Sequence, residues 1–86
     1  MKNKVLIKLY VPMLGETYDV FIPVNEIVWK INKLIVKSVS DLSDGTLPIN
    51  KNYVLINIET GKVYNSNEII ISTDIRNSTK IALIES

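Results

Sequence analysis

Eighty-six residues make one small domain, residues 1–86, with room for a single core. The chain has no Cys and no His, which excludes disulfides, thiolate metal sites and the imidazole that most often moves protons or binds metals. The formal charge is +1 and the ten Lys and Arg are scattered, a poor footprint for nucleic acid or an anionic membrane.

The first segment, "MKNKVLIKLYVP", places lysines before an apolar stretch, as a secretory leader would. Lys8 interrupts that stretch and no small-residue cleavage site follows, so the segment reads as a strand. Val5, Ile7, Leu9 and Val11 share one face, and Pro12 closes the run. No apolar run approaches the ~18 residues that would cross a bilayer, so no membrane insertion is expected; a cytoplasmic address, which the absence of Cys allows, is expected.

"MLGE" is a turn around Gly15, and "TYDVFIPV" alternates again, with Val20, Ile22 and Val24 opposite Asp19 and Phe21. Two alternating runs around a short Gly-containing loop predict an antiparallel hairpin. The period then changes. Asn25 is placed to cap a helix and Glu26 suits its positive end. Stepping about 100° per residue puts Ile27, Ile31, Leu34, Ile35, Ser38 and Leu42 in one stripe, flanked by Val28 and Val39. Gly45 is a natural left-handed terminator, and Pro48 forbids the helix's return.

"NYVLINIETGKVY" predicts a strand, a tight turn at Thr60-Gly61 and a short return strand. Val54, Ile56 and Ile58 are expected to face the helix, and Tyr53, Leu55 and Asn57 to face away. "NSNEIIISTDI" suits an irregular strand or one helical turn, and Thr79–Glu85 alternates with Ile81 and Leu83 inward. The order predicts an α+β β-grasp: a mixed sheet of four to five strands wrapped on one α-helix, its first and last strands parallel neighbours at the centre.

The second half, "INIETGKVYNSNEIIISTDIRNSTKIALI", resembles the ubiquitin-like pattern of a strand, a Gly-Lys turn, a short strand, a one-turn segment and a last strand. Within it, Ile75, Thr79, Ile81 and Leu83 stand at the matching positions. Ser78 stands where Gly is usual, so a turn of more ordinary type is expected there. Together with "VFIPVNEIVWKINKLIV", the whole chain resembles the YukD-like (EsaB-like) family. These are small ubiquitin-like components of the type VII, WXG-protein secretion systems of Gram-positive bacteria. Fourteen Ile beside nine Asn and nine Lys suggest AT-rich coding, in keeping with a low-GC source. The family lacks a di-glycine tail, and this sequence ends on "LIES". The resemblance therefore implies a protein read as a surface rather than conjugated. The alternative, a ubiquitin-like modifier or sulfur carrier, needs the Gly-Gly that is missing.

Chemistry finds little footing. Ser38, Ser40, Ser43, Asp41 and Asp44 cluster in "SVSDLSDG", which reads as the polar close of a helix and lacks the spacing of a calcium loop. "TGK" lacks the rest of a phosphate loop and reads as a hairpin turn. No catalytic, metal or cofactor-binding residue is expected, and no enzyme activity. Trp29 and Val36 fall opposite the core stripe and could anchor a partner; Trp29 could equally fold over Val24 as a staple. By positional match to ubiquitin's partner-binding patch, Leu14, Leu55 and Ile84 form a second candidate surface. Protein partners are expected, among them membrane components of a secretion system.

Overall fold

In the computed structural model, which describes residues 3–86, the elements run β1 (Lys4–Val11), β2 (Glu16–Pro23), α1 (Val28–Leu42), β3 (Tyr53–Asn57), a 3-10 turn (Ile70–Ser72) and β4 (Thr79–Glu85). One mixed sheet has the order β2-β1-β4-β3. β1 and β4 are parallel at its centre, and the outer pairs are antiparallel. One face of the sheet packs on α1; the fold is the expected β-grasp with four strands. The segment after β3 returns for a single bridge only, Ile56 with Val63.

The period-two reading holds for three strands. Ile7, Leu9 and Val11 of β1, Ile22 of β2, and Ile81 and Leu83 of β4 are buried in the core. In β3 the faces are inverted. Tyr53, Leu55 and Asn57 point inward, while Val54 and Ile56 are half-buried on the outer face and Ile58 is exposed. Both faces of this strand carry apolar residues, so alternation alone could not choose. The partners of the polar atoms decide it. The Tyr53 hydroxyl donates to the Pro48 carbonyl (2.7 Å). The Asn57 side chain donates to the Tyr64 hydroxyl (3.1 Å) and accepts from the amides of Glu59 and Thr60. An inward Asn57 therefore keeps a partner for both its side-chain nitrogen and its side-chain oxygen.

The helix is also differently seated. Its buried face is Val28, Ile31, Ile35, Val36, Val39 and Ser40, while Leu34 and Leu42 are exposed. The stripe is rotated toward Val28 and Val39, and Val36, expected outside, is buried. Asn25 is not the cap: the N-cap is Ile27, with no side-chain cap. Instead the segment before the 3-10 turn supplies backbone carbonyls. Val28 N–H donates to Glu68 O (2.8 Å) and Trp29 N–H to Ser66 O (3.2 Å). Two of the amides left free by helix geometry are thus satisfied by tertiary contact.

At the other end, Asp44 (φ 54°) and Gly45 (φ 78°) both turn left-handed, and Gly45 N–H closes on Ser40 O at 2.7 Å. The Ser and Asp residues of this stretch form the helix's polar close, with Ser43 as C-cap. Before β4, Ser78 adopts φ 70°, the conformation that Gly would take there, rather than an ordinary turn. Its amide donates to Leu6 O (2.7 Å) while Asn77 Oδ1 accepts from Leu6 N–H (2.9 Å), and this pair of bonds holds the turn against β1.

Candidate protein-binding surfaces

With α1 on one face of the sheet, the other face is open. Register places Val54 beside Ile84, and Ile56 beside Ala82, which in turn neighbours Tyr10. Ile58, Val63 and Phe21 extend this surface, and each is about half exposed. The result is an apolar strip across β3, β4 and β1, produced by the inversion of β3: Val54 and Ile56, expected in the core, lie half-buried on the open face, and Ile58 is exposed there. Beside the strip, Lys8, Tyr10, Thr17, Ile58 and Lys80 border a shallow depression of about 390 Å³. Lys8 is held by Asp19 at 2.9 Å.

Of the three residues placed on this face from sequence, Ile84 lies on it. Leu55 does not, being 1% exposed in the core. Leu14 is half-buried and packs against the core, because the turn bonded by Leu14 N–H to Val11 O sends Met13 outward in its place; Met13 is 49% exposed. Val54, Ile56 and Ile58 were missed as surface residues. The inward Asn57 was their signal, legible only if its hydrogen-bond partners were known.

A second surface lies between α1 and the segment 49–54. It is a groove of about 810 Å³, with Trp29, Lys33 and Lys37 along the helix and Ile49 and Lys51 opposite. Trp29 is 42% exposed there, with the Nζ atoms of Lys30 and Lys33 each 5.5 Å from its ring centroid. Val36 and Tyr53, both 8% exposed, also line the groove. The structure thus brings Trp29 and Val36 together, the first as a wall and the second as buried lining. The segment 49–54 has no periodic pattern, and so nothing in the sequence showed the opposite wall.

The interior polar groups are tied to each other. The Tyr64 hydroxyl donates to Asp74 Oδ1 (2.6 Å) while accepting from Asn57. Burial, followed by the Asp74 carboxylate, pushes its pKa up to about 12. Burial and the charge of Glu85 also raise Tyr53. Glu68 is lowered, chiefly because its carboxylate accepts the Asn65 amide and then because it meets Lys62. Among the described residues no three Asp or Glu side chains converge as metal ligands would, and no helix is long and apolar enough to cross a membrane.

Neither a protein-family model nor a curated protein matches the sequence. Solved structures do. The UBL domain of Plasmodium falciparum Dsk2 superposes with TM-score 0.73 at 17% identity, over 96% of this chain and 99% of that one. The ubiquitin-like domain of EccD5 from Mycobacterium xenopi superposes with TM-score 0.77 at 9% identity, over 96% and 94%. A chain of a MycP5-free ESX-5 inner membrane complex gives TM-score 0.80 at 13% identity, over 98% of this chain but 21% of its own length. At these identities the likeness is one of fold: the chain is a ubiquitin-like β-grasp.

Proposed function

We propose that this ubiquitin-like fold serves as a non-enzymatic adaptor, an accessory or regulatory part of a type VII secretion apparatus. It acts in the cytoplasm through its surfaces. The observation that carries this reading is the apolar strip on the outer sheet face, where half-buried Val54, Ile56 and Ile84 continue into exposed Ile58, Val63 and Tyr10. Contiguous exposed apolar surface on a small protein marks a contact site. The likeness to a domain of EccD5 and to a chain of an ESX-5 inner membrane complex supports membrane components of such an apparatus as the partners. The resemblance to the YukD-like family favours the same system.

The test is capture of those membrane components by tagged protein from its native host, comparing wild type with Ile56→Asp and Ile84→Asp. Both side chains lie on the outer face, so folding should persist and is checked by circular dichroism. Loss of the secretion components from the folded variants is expected. Undiminished capture by both would overturn the sheet face as the contact.

A further inference from the structure

The groove between α1 and residues 49–54 carries a charge pattern that the sheet face lacks. Lys33, Lys37 and Lys51 line it against one carboxylate, Asp41, in a chain whose net charge is only +1. None of the three lysines is in an ion pair among the described residues; those pairs use Lys8, Lys30 and Lys62. Between the ammonium groups lies apolar surface: Trp29, exposed Ile49 (69%), and the buried edges of Val36 and Tyr53. Strand addition is blocked along this side of β3, because Asn32 Nδ2 occupies the Tyr53 carbonyl (2.8 Å) and Tyr64 N–H occupies that of Leu55 (3.0 Å). An occupant must be held by its side chains rather than by a backbone ladder.

The geometry points to a docking site for an acidic peptide segment of a partner protein, one bulky apolar side chain seated against Trp29 with flanking carboxylates on Lys33, Lys37 and Lys51. Trp29 is the anchor, being large, half-exposed and bounded by buried apolar floor, the setting in which aromatic residues carry most of a contact's energy. The lysines supply selection by sign and speed of encounter, and their share weakens with salt. The groove meets the outer sheet face only at Val54, which lines both; Ile56 lies on the outer face alone.

Selection of a random peptide library on the immobilised full chain tests it. The expected winners carry Asp or Glu around a single aromatic or aliphatic residue. They perturb the fluorescence of Trp29, the chain's one tryptophan, and bind at least tenfold more weakly to folded Lys33→Glu/Lys37→Glu. Ile56→Asp should bind them as wild type does. The inference is overturned if selection yields no binders, or neutral or basic ones. It is equally overturned if the double variant binds acidic winners at wild-type strength, or if Ile56→Asp abolishes their binding. That last result would leave the sheet face standing as the contact and remove the groove.

Discussion

Tyr64 is the residue on which the interior polar contacts meet. Its hydroxyl bonds both Asn57 and Asp74; Tyr64→Phe leaves the buried Asn57 amide without its acceptor, while exposed Asp74 can turn to water, and should cost about 1–3 kcal/mol. Its raised pKa also sets an alkaline limit. The unfolded chain releases this proton near the ordinary value of 10, the folded one only at about 12. The contribution of Tyr64 to stability is therefore whole below pH 10 and is lost as pH climbs through 12. Denaturant titrations across that window should show a steeper decline for wild type than for Tyr64→Phe; parallel declines would contradict the raised pKa. Ser78 offers a stabilising change. Left-handed backbone costs a side-chain-bearing residue about 1–2 kcal/mol, and Gly returns part of that as unfolded-state entropy. With φ 70°, Ser78→Gly should gain up to about 1 kcal/mol in a denaturant midpoint, and a lowered midpoint would deny the conformation.

At the scale of elements, the helix start is held from outside. Carbonyls of Ser66 and Glu68 do what the Asn25 side chain was expected to do. Asn25→Ala should accordingly change stability by less than about 0.5 kcal/mol, against about 0.5–2 for a true side-chain cap. Ile31, 1% exposed, should cost about 2–5 kcal/mol when cut to Ala, while exposed Lys33→Ala stays within about 0.5. Thermal or denaturant unfolding that ranked Asn25 with Ile31 would refute the outside cap.

These elements also mark what could be read in advance. β1 and β4 announced their inner faces because one face of each is apolar and the other broken by Lys8 or Lys80. β3 did not, having aliphatic residues on both faces, and the choice rests on Pro48, Tyr64 and two loop amides distant from any pattern. Trp29 was legible as an exposed helix residue. Its groove was not, because the opposite wall is irregular chain. The buried arc of α1 was misplaced by the apolar but exposed Leu34 and Leu42, which a hydrophobic wheel counts as core.

For the whole molecule, the two central strands come from opposite ends of the described sequence and run the same way: Ile7 lies beside Thr79 and Tyr10 beside Ala82. Tension applied at Lys4 and Glu85 therefore pulls β1 and β4 along their length, loading all their shared hydrogen bonds at once. Tension between Lys4 and Pro23, which face each other across the β1–β2 hairpin, opens that ladder one rung at a time. Single-molecule pulling should find a markedly higher rupture force through the first pair of handles than through the second. A partner engaging this protein can thus transmit load along the chain axis without undoing it, whereas a much smaller pull on the hairpin would peel β2 away.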